Sequence, residues 1–307
     1  MTPTIVTTDL QRRFGKTVAV DHLALSVENG EIYGLIGPDG AGKTTTLRML
    51  AAVLRPSGGS ASIAGIDVVR QPERLRRLVG YMPQHFSLYG DLSVLENLTF
   101  YADIFGVRGA ERRHRLDRLL HFARLEQFTA RPAAHLSGGM KKKLALACAL
   151  IHQPQVLLLD EPTNGVDPVS RREFWDILGE LHLEGVTILV TTPYMDEAER
   201  CNQVGLMHNG RLIRQGRPEA LRQLTPGQML AVYTPDLLQA EAVIADYPGY
   251  LAHQVYGDRL HVFLDVADAA ALERFLTNHD VRVQQILPDA PRLEEAFVYL
   301  MTQVSDA

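Results

Sequence analysis

The sequence has 307 residues, 46% apolar and 22% charged, with a formal net charge of -5. That length and balance describe a large globular domain, alone or with a small second one. The acidic total argues against nucleic acid as a partner, because phosphate-backbone binding needs a clustered positive surface.

Cys148 and Cys201 lie far apart without metal-ligand spacing, which excludes a disulfide framework and fits a reducing compartment. No apolar run approaches the roughly 20 residues of a membrane helix. Met1-Thr2-Pro3-Thr4 does not lead from a basic region into an apolar one, so no signal peptide is read there. The expectation is a cytoplasmic chain that meets a membrane only through a partner.

Residues 4–30 alternate apolar and polar positions, as in Leu23-Ala24-Leu25-Ser26-Val27, which predicts antiparallel strands covering one side of a site. Phe14, beside Gly15 and Lys16, is either a core aromatic or a platform for a purine ring. Ile32-Tyr33-Gly34-Leu35-Ile36 predicts a buried strand. Gly37-Pro38-Asp39-Gly40-Ala41-Gly42-Lys43-Thr44 then fits the pattern G-x-x-x-x-G-K-[ST] at every fixed position. Its glycines let backbone N–H groups turn inward toward phosphate. Lys43 would reach the β- and γ-phosphates, and the Thr44 hydroxyl would join the coordination of Mg²⁺. Helical spacing over 45–54, with Thr45 first, aims a helix N-terminus at the same place. Strand, glycine loop and helix together predict a nucleoside triphosphate site.

Pro56-Ser57-Gly58-Gly59 reads as a turn, 61–64 as a short strand, 72–78 as a basic helix, and 79–84 as a strand ending in a loop at Gln84. From about 92 to 152 the helical period takes over, with Leu92, Leu95, Leu98 and Ile104 marking one helix and Leu116, Leu119, Leu120 and Phe122 another. This block reads as an inserted helical subdomain, closing with Leu136-Ser137-Gly138-Gly139-Met140 and a helix over 141–152. Lys141-Lys142-Lys143 reads as a solvated helix face. Val156-Leu157-Leu158-Leu159-Asp160-Glu161 is an apolar run ending in two carboxylates, as expected of a central parallel strand. A helix with Phe174, Ile177, Leu178 and Leu181 leads to another buried strand over 186–191.

Beyond Thr225-Pro226-Gly227 the order is strand 229–233, helix 236–245, strand 251–256, strand 260–266, helix 268–278, strand 281–286 and an amphipathic helix over 293–301. This βαββαβ order resembles a ferredoxin-like module. No charged or histidine cluster stands out in it, and packing, dimer contact or regulation are its expected roles.

Ligands of a parallel sheet collect at the C-terminal ends of its strands. Asp160 therefore suits Mg²⁺ coordination through water beside Thr44. Glu161, next along, suits a general base for an attacking water. Gln84 suits Mg²⁺ ligation or the positioning of that water.

The ordered set of the glycine loop at 37–44, Gln84, Leu136-Ser137-Gly138-Gly139-Met140, the run ending in Asp160-Glu161 and Asn164-Gly165-Val166-Asp167 resembles the nucleotide-binding subunit of an ATP-binding cassette (ABC) transporter. The Leu-Ser-Gly-Gly signature separates that family from other phosphate-loop enzymes. The resemblance covers about the first 220 residues. Asn164-Gly165-Val166-Asp167-Pro168 and Leu293-Glu294-Glu295-Ala296-Phe297 are similar to exporters of the drug, polysaccharide and multidrug-efflux type.

The resemblance implies an α/β phosphate-loop NTPase fold with a mixed sheet core, an antiparallel β subdomain and the helical insertion. This cassette would span 1–224 and the small α+β ferredoxin-like module 225–307. It further implies that ATP with Mg²⁺ binds to residues 37–45, with Phe14 stacking adenine and Thr44, Gln84 and Asp160 toward the metal. Lys43, Gln84 and Glu161 would act in hydrolysis. A second nucleotide-binding domain, identical or not, would pack head to tail, with Ser137, Gly138 and Gly139 facing the opposite nucleotide and Asp167 at the seam.

An integral membrane permease would dock near His85-Phe86-Ser87-Leu88-Tyr89, holding the chain on the inner face of the membrane. A soluble, ribosome- or DNA-associated ATPase is the alternative, disfavoured by the single cassette and the acidic balance; a regulatory ATP-binding module without turnover is another.

Two residues depart from the family pattern. Met140 stands where glutamine is usual, away from the phosphates. Pro193 stands where the family has a histidine that bridges the γ-phosphate and the catalytic glutamate. Proline has neither a side-chain donor nor a backbone N–H, so the expectation is ATP binding with weak hydrolysis, or one weak site paired with a competent site on a second nucleotide-binding subunit.

Overall fold

The structure, a computed structural model, describes residues 3–85, 88–225 and 227–305. Two long strands, β1 (Ile5–Phe14) and β2 (Thr17–Val27), come first and pair antiparallel, burying Ile5, Leu10, Leu23, Leu25 and Val27 on one face. Then follow the wholly buried β3 (Ile32–Ile36), helix α1 (Lys43–Leu50), β4 (Gly58–Ile63), the short β5 (Ile66–Asp67), α2 (Pro72–Arg76) and β6 (Val79–Met82). The helical stretch comprises α3 (Val94–Ile104), α4 (Gly109–Phe122) and α5 (Gly138–Leu150). The chain returns through β7 (Val156–Asp160), α6 (Pro168–Leu183), β8 (Thr187–Thr192), α7 (Met195–Ala198), β9 (Gln203–His208) and β10 (Arg211–Gly216).

These elements make two sheets. One, antiparallel, has the order β2-β1-β4-β5. The other has the order β10-β9-β3-β8-β7-β6 and is parallel apart from the hairpin strand β10. Its middle strands β3, β7 and β8 are buried along their whole length, which is why they read as continuous apolar runs. Leu47, Met49 and Leu50 of α1 share one core with Leu10 and Leu23 of the first sheet and with Leu158 and Leu189 of the second. The glycine loop is thus held at the strand ends of the mixed sheet.

The chain divides between Arg217 and Pro218 into two compact units. The second unit holds α8 (Pro218–Arg222), β11 (Gln228–Tyr233), α9 (Leu237–Ile244), β12 (Tyr250–Tyr256), β13 (Arg259–Leu264), α10 (Ala269–Asn278), β14 (Gln285–Asp289) and α11 (Leu293–Ser305). Its antiparallel sheet has the order β12-β13-β11-β14. This is the ferredoxin-like arrangement, in which the two middle strands are those that precede and follow the first helix–strand pair. Ala240, Ile244, Leu272 and Leu276 of α9 and α10 pack on Leu230, Val232, Leu260 and Val262 of the sheet.

Several elements differ from the sequence expectation. Helix α1 stops at Leu50, not at 54, because Ala52 takes a left-handed φ of 53°. The buried face of α3 is Val94, Leu98 and Ala102, while Leu92 precedes the helix and Leu95 and Ile104 are exposed. Helix α5 begins at Gly138, three residues before the expected start. The last strand is β14 at 285–289, not 281–286. There the Val281 amide donates back to Leu276 O, Asp280 takes a φ of 61°, and Arg282 is tied to Asp236, so the strand starts only once these ties are passed.

The lysine triplet is not a solvated face. Lys143 is buried against Glu173, and Lys142 is half-buried with its ammonium on Gln84 O. The second unit does contain a buried histidine–carboxylate pair: His261 of β13 is fully buried and bonded to the buried Glu295 of α11.

The module core sets the first test. Leu276 is fully buried, so Leu276→Ala is expected to cost about 2–5 kcal/mol through lost contacts and a cavity. The measurement is urea unfolding followed by far-ultraviolet circular dichroism.

Candidate functional site

Between β3 and α1 the chain must reverse within six residues. It does so by bringing Gly42 against the β2 backbone: a Cβ there would lie 2.3 Å from Ala19 O, and φ is 102°. Only glycine fits both conditions. Gly42 is also the N-cap of α1 and offers no side-chain acceptor, so the first-turn amides of α1 have no side-chain cap. Uncapped amides at a helix N-terminus attract anions.

Lys43 is buried, 4% exposed, and its ammonium donates to the carbonyls of Gly37 at 2.7 Å and Pro38 at 3.1 Å. The same nitrogen lies 3.6 Å from Glu161 Oε1. Thr44 Oγ1 donates to Asp160 Oδ1 at 2.9 Å, and Thr191 Oγ1 donates to the same oxygen at 2.9 Å. The other oxygen, Asp160 Oδ2, is buried with no protein partner. Burial raises the carboxyl above its ordinary range, the two hydroxyls oppose that rise, and neighbouring Glu161 adds to it. An unpartnered carboxylate oxygen beside a threonine hydroxyl is an oxygen donor set of the kind a hard divalent cation takes.

Glu161 follows immediately and adopts a left-handed φ of 45°, a conformation a non-glycine residue holds only when its surroundings impose it. Its amide donates to both Thr191 O at 3.1 Å and Thr191 Oγ1 at 3.0 Å. Glu161 Oε2 accepts from Gln84 Nε2 at 2.7 Å and from Asn164 Nδ2 at 3.1 Å. The side chain is thereby turned back toward Lys43 and Gln84.

Phe14, Asp39, Gly40, Ala41, Gly42, Lys43, Thr44, Thr45, Gln84 and Glu161 line one cleft of about 480 Å³ together with Ala19. Phe14 is 47% exposed, with the Arg12 guanidinium 4.5 Å from its ring centroid; it is not a core aromatic. Gly37 and Pro38 contribute carbonyls to Lys43, and Asp160 stands behind Thr44.

Ser137, Gly138 and Gly139 do not line this cleft; they form the start of α5. Ser137 Oγ caps that helix by accepting from Met140 N, and Gly139 packs on Ser170, where a Cβ would lie 2.5 Å away. Asp167 caps α6 by accepting from Val169 N and Ser170 N at 3.1 and 2.9 Å. Thr191, which sequence reasoning passed over, and Asn164, read there only as part of the Asn164–Asp167 motif, complete the carboxylate environment. Thr191 was discoverable as a polar residue inside a buried strand, since β8 aligns it with Asp160.

Residues 20–164 match the model of the ABC transporter family. The chain is 38% identical over 305 residues to the Nod factor export ATP-binding protein I of Ralstonia nicotianae, covering 97% of this chain and 94% of the relative.

The chain belongs to the ABC transporter family.

It is also 43% identical over 294 residues to YbhF of Escherichia coli K12, a probable multidrug ABC transporter ATP-binding protein. That alignment covers 92% of this chain and 49% of YbhF, so the chain spans about half the length of that relative. Among solved structures, the ABC cassette MJ0796, a dimer in a post-hydrolysis state bound to ADP and Pi, is 28% identical with a TM-score of 0.64, over 69% of this chain and 98% of that one.

No histidine is among the described residues that line the cleft of this ABC chain. Around Pro193 the segment is held instead by the buried Glu197, which accepts from Thr192 Oγ1 and from Thr163 Oγ1, each at 2.6 Å. Arg171 lies 3.1 Å from Glu197 and 4.5 Å from the Tyr194 ring centroid. The loop after Glu161 and the end of β8 are thus tied to one carboxylate.

Gly42→Ala drives a methyl into the Ala19 carbonyl. It is expected to weaken binding of a fluorescent ATP analogue about tenfold or more, as the loop must open; the check is a fluorescence titration.

Proposed function

We propose that the chain is the ATP-binding and ATP-hydrolysing subunit of an export complex. The observation that carries this reading is the single cleft uniting the glycine loop, Lys43, Thr44, Gln84 and Glu161 with an exposed aromatic ring at its rim. Phe14 would stack the adenine ring, and the loop amides with Lys43 would take the phosphates. Thr44, Asp160 and Gln84 would hold Mg²⁺, which when bound neutralises charge on the phosphate oxygens. Glu161, once Gln84 releases it, would accept the proton of an attacking water.

Ser137, Gly138 and Gly139 would complete the site of a second cassette, identical or not, packed head to tail. That half of the reading is supported by the dimeric relative and by the exposure of Ser137 and Gly138 away from their own cleft.

A permease would be the membrane partner, holding this chain at the inner membrane face. A groove of about 990 Å³ lined by residues including Tyr81, Tyr101, Ile104, Phe105 and His152 supports this, since it offers both aromatic and polar groups to an amphipathic segment. Of the docking segment read from the sequence, Phe86 and Ser87 lie outside the described residues, while Tyr89 is half exposed and set edge-on to Phe100. No helix among the described residues is long and apolar enough to cross a membrane. The names of the relatives support export as the direction. The cassette at 1–224 would be the motor, and the module at 225–307 an accessory element.

Pro193 makes slow turnover the expected state of this site. The test is steady-state Mg-ATP hydrolysis with Glu161→Gln as the blank. Turnover above the blank is expected to be low, and Pro193→His is expected to raise it in the assembled transporter by about tenfold or more. ATP binding with turnover at the blank level even after Pro193→His would favour a regulatory module. No ATP binding at all would overturn the reading.

A further inference from the structure

Lys142 belongs to α5 and lies about one helical turn beyond Gly138. Its neighbours on the triplet point elsewhere, because successive helical residues are about 100° apart; Lys143 reaches Glu173 of α6. The Lys142 ammonium donates to Gln84 O at 2.8 Å and reaches Glu161 O at 3.5 Å. Both acceptors are main-chain carbonyls, and the side chains of these two residues bond each other at 2.7 Å. One cation therefore closes a ring through Gln84 and Glu161. An ammonium has three donors and no fixed plane, so it can serve two carbonyls together. Burial disfavours its charge, while Asp160 and Glu161 nearby favour it.

We propose that Lys142 is a positioning residue that fixes Gln84 against Glu161 and links both to the start of α5. This rests on the proposed ATPase function, and adds a residue acting through Gln84 and Glu161 without touching nucleotide. Because α5 is continuous from Gly138 to Leu150, movement of its exposed N-terminal end at a second cassette would pull directly on the Gln84 carbonyl. Engagement at one nucleotide is thus transmitted to the water-activating pair of the other.

The test uses the full chain with Lys142→Met and Lys142→Arg. In nucleotide-free protein, amide exchange over 79–85 should rise about threefold or more in the methionine variant and return toward the parent in the arginine variant, as local protection is lost and regained. Affinity for the fluorescent ATP analogue should stay within about twofold. Where the parent turns over, kcat should fall about tenfold with KM nearly unchanged, the pattern of a lost transition-state arrangement. Unchanged exchange over 79–85, a rise of the same size in β7 and β8, or no recovery with arginine would overturn the proposal. Failure of the parent to bind the ATP analogue would sink the proposed function instead, since the exchange experiment reads the Lys142 link without nucleotide.

Discussion

Two consecutive carboxylates, Asp160 and Glu161, are buried at the end of a central strand. Taking one carboxylate out of water is costly, and two side by side also repel. Everything around them answers that constraint. Two threonine hydroxyls meet Asp160, two side-chain amides meet Glu161, and two lysines supply the positive charge. One oxygen, Asp160 Oδ2, is left without a protein partner in an otherwise satisfied set. On the proposed function, a cation would complete the electrostatics there.

The fold serves this cluster by layering. Helix α1 is clamped between the antiparallel and mixed sheets, so Lys43 and Thr44 cannot drift from β7. Parallel pairing of β7 with β8 sets Thr191 opposite Asp160. The helical stretch contributes α5, so that the exposed Ser137 and Gly138 at its start and the inward Lys142 belong to one continuous helix. In the second unit a different buried contact, His261 to Glu295, ties α11 to the sheet and gives the Leu293-Glu294-Glu295-Ala296-Phe297 stretch a structural reason.

What the sequence disclosed follows from range. The glycine loop is a local pattern, so every residue from Asp39 to Thr45 could be named in advance, and the apolar run before Asp160 announced a buried strand. Among partners brought from afar, Thr44 with Asp160 and Gln84 with Glu161 were named from the order of the motifs, but the side-chain bond of Gln84 to Glu161 across 77 residues was not read. Thr191, which meets Asp160 across 31 residues, went unnoticed, its one signal being a polar side chain inside a buried strand. Lys142 was hidden by composition, since three adjacent lysines read as solvent-facing until helical phase separates them. Ala52 and Asp280, with left-handed backbones, ended α1 early and delayed β14, and neither residue type signals that by itself. Apolar residues on α3 misled for a related reason: Leu95 and Ile104 are exposed, facing away from the core that was expected to hold them.

On the proposed function, the open oxygen of Asp160 belongs to a magnesium–nucleotide site. The most direct measurement is calorimetric titration of ATP into the chain with Mg²⁺ and with a chelator, repeated on Asp160→Asn. Mg²⁺ should tighten binding to the parent about tenfold or more, and most of this gain should vanish in Asp160→Asn. Equal affinity with and without Mg²⁺ in the parent would contradict that assignment.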